Sequence, residues 1–174
     1  MTNLLVSYPN ISEVDFNWIQ DIRKNHDPRY YSIVKPHVTL IFGTDKLNQK
    51  ELLGHVKKVS ESLSKIAINF DSAIVVEDDS KSFFHTFLIP SEGFDQINKL
   101  HELLYEGDMS SELRLDIPFI PHIGIGTSDN EQDMITLTDQ INEKAISIKG
   151  FLDTLTLIQF DGNKIQDLNT IILS

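Results

Sequence analysis

The chain has no cysteine. That excludes disulfides, thiolate metal sites and cysteine nucleophiles, and it fits a reducing compartment. Arginine is scarce: Arg23, Arg29 and Arg114 are the only three. Acidic residues outnumber basic ones 26 to 15, for a formal net charge of -11. Binding a polyanion requires many phosphates to be neutralised by Lys and Arg. A broad nucleic-acid surface is therefore not expected, whereas a pocket for one or two phosphates is compatible with this charge. No apolar run approaches the length of a membrane span, and Met1–Pro9 lacks the basic start and long apolar run of a signal peptide. The expectation is a cytoplasmic monomer with no membrane association. The six histidines show neither His-x3-His nor His-Glu-x-x-His spacing, so no metal and no other cofactor is expected.

What is present is a soluble globular composition, 40% hydrophobic and 24% charged over 174 residues. This is enough chain for one well-buried core, or for two small lobes sharing one. Residues 4–8 read as a short strand ended by Pro9. Ser12 then caps a helix whose apolar stripe is Val14, Trp18, Ile19 and Ile22. A loop from Asp27 to Lys35 leads to a strand beginning at His37. Asn48 and Glu51 have capping-box spacing before a helix striped by Leu52, Val56, Val59 and Leu63. Ile66–Val76 reads as a strand, Glu77–Ser82 as a turn, and Phe83–Ile89 as a strand ended by Pro90. Phe94, Ile97, Leu100 and Leu104 stripe the next helix. A loop through Gly107 and Leu115 reaches a strand beginning at His122. Ser128 with Glu131 is a further capping-box pair, ahead of a stripe of Met134, Leu137, Ile141 and Ala145. Phe151–Phe160 and Lys164–Leu173 read as a closing hairpin about Asp161-Gly162.

The order strand, helix, loop, Pro-His strand, helix, strand occurs twice. Pro9 to His37 is 28 residues and Pro90 to His122 is 32. This reads as a degenerate duplication, 1–80 and 81–174, within one bilobal domain. The two histidine segments match in outline. Lys35-Pro36-His37-Val38-Thr39-Leu40 answers to Ile120-Pro121-His122-Ile123-Gly124-Ile125. Side chains alternate along a strand, so His37 and Thr39 share one face while Val38 and Leu40 share the other. By the same alternation His122, Gly124 and Ser128 share a face, and Thr127 points away. Two histidines can serve the two proton transfers of phosphodiester cleavage, because a neutral imidazole takes a proton and an imidazolium gives one. A hydroxyl two residues on, at Thr39, can hold a phosphate oxygen.

His37-Val38-Thr39-Leu40 with a second Pro-His motif 85 residues later resembles the 2H phosphoesterase superfamily, which includes 2'-5' RNA ligase-like proteins and cyclic nucleotide phosphodiesterases. The resemblance extends over nearly the whole chain in element order and motif spacing. It implies an α+β fold: two mainly antiparallel sheets facing each other across a central cleft, in pseudo-symmetric lobes with helices outside. It implies a metal-independent hydrolase acting on a small nucleotide or RNA-end phosphodiester, 2',3'-cyclic or 2'-5' linked. His37 and His122 would be general acid and base, and Thr39 would hold phosphate. Gly124 stands where the pattern has a second Thr or Ser, with Thr127 facing away and Ser128 about 13 Å along the strand. The alternatives it leaves open are a weakened nucleotide- or phosphate-binding protein of the same fold, and an RNA 2'-5' ligase or end-processing enzyme.

Further candidate substrate contacts are Tyr30 and Tyr31 for stacking, Arg29 and Lys35 for phosphate, and His85, which shares a strand face with Phe83 and Phe87. His26, His55 and His101 read as surface residues, and Trp18 as core.

Overall fold

The computed structural model describes residues 1–78 and 82–174. Strands β1 (Thr2–Ser7) and β2 (Asn10–Ile11) precede helix α1 (Glu13–His26) and strand β3 (Val38–Thr44). Helix α2 (Gln49–Ser60), strands β4 (Ile66–Glu77) and β5 (Phe84–Glu92) and helix α3 (Phe94–Leu104) follow. A 3-10 turn (Gly107–Glu112) leads to β6 (Ile123–Ser128), α4 (Glu131–Glu143), β7 (Ile148–Leu152), β8 (Thr154–Phe160) and β9 (Ile165–Ile172). Two sheets result, in the orders β3-β1-β8-β9 and β2-β7-β4-β5-β6. Every strand pair is antiparallel. This is the expected α+β fold with two facing sheets.

Each sheet draws strands from both ends of the sequence, so the sheets are interleaved. Each histidine strand is an edge strand, paired with the strand that opens its half: β3 on β1, and β6 on β5. The helices exchange partners, since α1 packs on β6 and α3 on β3. Both histidine strands are thereby covered by the helix of the other half. The core between these layers includes Leu5, Val38 and Leu40 from the first sheet and Phe70, Leu88 and Ile123 from the second, all fully buried.

Local signals set most boundaries. The Ser12 side chain accepts from the Asp15 amide at the start of α1, and Asn48 with Glu51 forms a complete capping box on α2. Gly162 takes φ 102° in the β8–β9 turn, the left-handed region that favours glycine. Several expectations change. Val14 is exposed, so the α1 stripe is Trp18, Ile19 and Ile22. The cap of α4 is Asn130, which accepts from the Gln132 amide, while Ser128 accepts from the Asn130 amide and donates to Asp133. Ala145 lies past the end of α4 with φ 46°. Strand β5 runs through Pro90, which pairs with Phe70 on one side only, because pairing with β6 ends at Leu88; a missing N–H is tolerated there. Phe151–Phe160 is two strands, β7 in one sheet and β8 in the other. The chain crosses at Asp153, whose carboxylate accepts from Asn10 Nδ2 and whose carbonyl accepts from the Leu173 amide. Of the expected turn Glu77–Ser82, residues 79–81 lie outside the described residues.

One irregularity matters for the cleft. In the β5–β6 pair, Phe87 faces Gly124 and Thr86 faces Gly126, with a register shift between them. Ile125 is the extra residue of a β-bulge, which reverses the alternation beyond it. Gly126 therefore faces α4 and Thr127 faces the cleft, the reverse of the expected parity. A Cβ on Gly126 would lie 2.7 Å from Leu137 Cδ2 and 3.0 Å from Met134 Sδ, whereas one on Gly124 would meet only Phe87 Cε1, at 3.9 Å. No helix among the described residues is long and apolar enough to cross a membrane.

The bulge gives a stability prediction. Gly126→Ala overpacks the α4 contact and is expected to lower stability by about 1–3 kcal/mol. Gly124→Ala is expected to leave it nearly unchanged. Urea denaturation of the two variants checks this, and equal midpoints would contradict the assigned faces.

Candidate active site

His37 and His122 lie immediately before β3 and β6, one on each sheet, and both line a cleft of about 310 Å³. They are held in the same way. His37 Nδ1 is 2.7 Å from the Lys35 carbonyl oxygen, and His122 Nδ1 is 2.6 Å from that of Ile120. Each acceptor belongs to the residue before the proline of its Pro-His pair, a residue biased to extended backbone. A carbonyl only accepts, so Nδ1 carries the proton in both rings and Nε2 is the available base. Thr39, opposite Val6 in the β1–β3 pair, lines the same cleft.

The two halves differ after the histidine. Gly124 leaves open space, and on its side the ring of Phe87 stacks on His122, with centroids 3.6 Å apart at 14°. His85 stacks in turn on Phe87 at 5.6 Å and 16°. Among the described residues, the ring beside His37 is that of Tyr8, in a T-shaped contact at 6.5 Å. The Tyr8 hydroxyl donates to Asp167, and burial first, then that carboxylate, push its pKa up.

Behind this ladder lies a buried polar chain. Thr127 Oγ1 is 3.1 Å from His85 Nδ1 and donates to Asp27 Oδ1 at 3.3 Å. Asp27 Oδ2 lies 3.1 Å from Arg23 Nε, both side chains almost fully buried. Arg23 also donates to Gln20, at 2.9 Å. The Tyr30 amide donates to Asp27 Oδ1. Burial raises the Asp27 pKa, against the lowering by Arg23.

Burial also lowers the proton affinity of all three cleft histidines. For His122 the charges of His37 and His85 add to it, and its pKa falls to about 4 despite the Ile120 bond. His37 is shifted down by burial and, more weakly, by Arg23, against the Lys35 bond. His85 is shifted down by burial and Arg29, against Asp78.

The structure thus brings together His37, His122, Thr39, Gly124, His85 and Tyr30 from the sequence reading. Tyr31, Lys35 and Arg29 do not line the cleft: Lys35 contributes its carbonyl, and Arg29 lies over the rings of Phe83 and Tyr30, at 4.6 and 5.2 Å. Arg23 and Asp27 also line it, and their i, i+4 spacing is the signal the sequence offers for them. Ser128, expected on this face, bonds Asp133 instead. His101 is buried rather than on the surface, bonded to the Leu40 carbonyl and stacked on Phe119. His55 is half-buried against the Leu104 carbonyl, and His26 is exposed. The far wall of the cleft is apolar, with Leu4, Ile158, Phe160 and Ile165. No group of three or more His, Asp or Glu among the described residues is placed to hold a metal ion.

The fold is similar to that of Usb1 from Kluyveromyces marxianus, with a TM-score of 0.62 at 12% identity, covering 98% of this chain and 97% of that one. It is also similar to Escherichia coli LigT, with a TM-score of 0.57 at 16% identity, covering 99% and 97%. A structure described as a phosphoesterase matches with a TM-score of 0.58 at 14% identity over 100% of this chain and 99% of that one. No curated protein matches the chain by sequence. A family model, the 2'-5' RNA ligase superfamily, matches residues 11–164. With nearly the whole chain matched, and the paired histidine strands in place, the chain belongs to the 2'-5' RNA ligase superfamily, the 2H phosphoesterases.

Proposed function

We propose that the protein is a metal-independent phosphodiesterase for a small nucleotide or RNA-end phosphodiester, 2',3'-cyclic or 2'-5' linked. The observation that carries this reading is the pair of histidines on opposing sheets, each with Nδ1 fixed by the carbonyl two residues before it. In the cyclic case, His122 Nε2 removes a proton from water and the water oxygen attacks phosphorus. The P–O bond to one ribose oxygen breaks, and that oxygen takes its proton from the His37 imidazolium. Water is thereby added across one P–O bond, and both proton transfers are supplied by imidazoles. His122 suits the base because its surroundings keep it neutral. Thr39 donates to a non-bridging oxygen as charge builds on it. The cleft's apolar wall and its one paired arginine favour a single phosphodiester over a long polyanion. They also weigh against ligation or end-processing of long RNA.

Gly124 favours a second reading, a nucleotide- or phosphate-binding protein with negligible turnover. A ligand that stabilises the native state without being hydrolysed would identify it.

Hydrolysis of 2',3'-cyclic nucleotides and short 2'-5' linked oligonucleotides in EDTA is the direct test. His37→Ala and His122→Ala are each expected to lower kcat by about 10²–10⁴, and Thr39→Ala by about 10²–10³. Equal rates in parent and histidine variants would overturn the mechanism.

The pH profile is a separate check. The base must be neutral, which for His122 holds above about pH 4. The acid must be protonated, which for His37 holds below a pKa shifted down from 6.5. The kcat/KM profile of the free enzyme is therefore expected to be a bell with its maximum below pH 6.5. A maximum above pH 7 would contradict the assignment.

A further inference from the structure

His85 lines the cleft but has no part in the two-histidine scheme. Its hydrogen bonding has a fixed direction. Asp27 faces the Arg23 guanidinium, and as a carboxylate it only accepts. Its Oδ1 accepts the Tyr30 amide and the Thr127 hydroxyl, each at 3.3 Å. With the Thr127 proton committed to Asp27, the Thr127 oxygen must accept from His85 Nδ1, 3.1 Å away. His85 is therefore the Nδ1–H tautomer, and its Nε2 is an acceptor. Burial and, more weakly, the Arg29 charge disfavour protonation of the ring, against Asp78.

Its position gives that acceptor a use. Phe87 lies between His85 and His122, near-parallel to both, so the three rings form a column with a histidine at either end, and all three line the cleft. An apolar wall stands across the cleft, including Ile158 and Phe160. A substrate with its phosphate at His122 and its remainder running along the edges of this column brings its far end to His85.

We propose that His85 is a specificity-determining residue whose Nε2 accepts a hydrogen bond from an uncharged N–H or O–H group of the substrate, held beyond the phosphate at the far end of the ring column. The proposal rests on the hydrolase reading of the same cleft. A neutral acceptor attracts a donor and repels a second phosphate. In a nucleoside 2',3'-cyclic phosphate the donors of this kind are the base amine or ring N–H and the free 5'-hydroxyl.

Two arms separate these sources. The first compares kcat/KM for adenosine 2',3'-cyclic phosphate with the purine riboside analogue, which lacks the amine. The second compares the adenosine substrate with its 5'-deoxy analogue. The parent is expected to prefer the donor-bearing substrate in one arm by about two- to tenfold, the range of one neutral hydrogen bond. His85→Phe keeps a ring on Phe87 but has no acceptor. It is expected to abolish the preference, bringing the ratio of kcat/KM values for the donor-bearing and donor-free substrates to about one. His85→Gln, whose amide oxygen accepts, is expected to restore part of the preference. Thr127→Val, which removes the tautomer lock, is expected to weaken it, and serves if His85→Phe does not fold. A preference that survives in His85→Phe, or its absence from both arms in the parent, overturns the proposal. If the parent turns over nothing, the hydrolase reading fails separately. Calorimetric Kd values for the same substrates then decide the role of His85 by the same criterion.

Discussion

The geometry of the cleft depends on one buried carboxylate. Asp27 ends α1 and opens the loop that leads to His37, and it is tied across 100 positions of sequence to Thr127 on the strand of His122. Its other oxygen meets Arg23 one turn back in α1. Three elements are thereby fixed relative to one another: the helix, the loop of the first histidine and the strand of the second. The arrangement is expensive in desolvation, as the raised pKa of Asp27 shows, and buried ion pairs seldom repay that with net stability. Its value lies in register. With Arg23 held against Asp27 and Asp27 accepting from both the Tyr30 amide and Thr127, few positions of β6 against α1 satisfy all of these groups.

Pseudo-symmetry explains the histidines, and its breaking explains what surrounds them. Both Pro-His pairs produce the same short bond from Nδ1 to the carbonyl before the proline, so one local sequence solution is used twice. Beyond that the halves part. The first presents a hydroxyl at Thr39. The second presents Gly124 under the ring of Phe87, with a bulge that brings Thr127 into the cleft as the partner of His85. Two chemically equal imidazoles thus sit in unequal surroundings, and the proposed division into one base and one acid rests on that inequality.

The parts legible in the sequence are those decided within a few residues. Caps at Ser12 and Asn48, the Asp161-Gly162 turn and the faces of His37 and Thr39 all follow from local chemistry. What escaped was decided at a distance. The apolar alternation through Ile123 and Ile125 continues smoothly, so nothing local reports the bulge; it is set by pairing with β5 and by the fit of Gly126 against Leu137 and Met134. Arg23 looks like an ordinary helix-surface cation until α1 is laid on β6, and Asp27 looks like a loop residue until Thr127 turns toward it. His101 reads as exposed because its stack on Phe119 and its bond to Leu40 join three separate segments. The division at Asp153 follows from two sheets competing for one stretch of chain, since β7 completes one sheet and β8 the other.

The acidity of the chain and the make-up of the cleft point the same way. A net charge of -11 repels polyanions at long range, and within the cleft the arginine is already neutralised by Asp27. Affinity must then come from apolar contact and from hydrogen bonds of fixed direction. The apolar wall, with Leu4, Ile158, Phe160 and Ile165, offers the first. In the proposed reading Thr39 supplies a donor and His85, through its lock to Thr127, an acceptor. Such a site gains little from each added phosphate and more from the match of one neutral donor to one neutral acceptor, where a mismatch leaves a desolvated group unpaired. At position 124 the contrast between the halves is one of room: an added Cβ would meet only Phe87 Cε1, at 3.9 Å, where the first half offers the Thr39 hydroxyl.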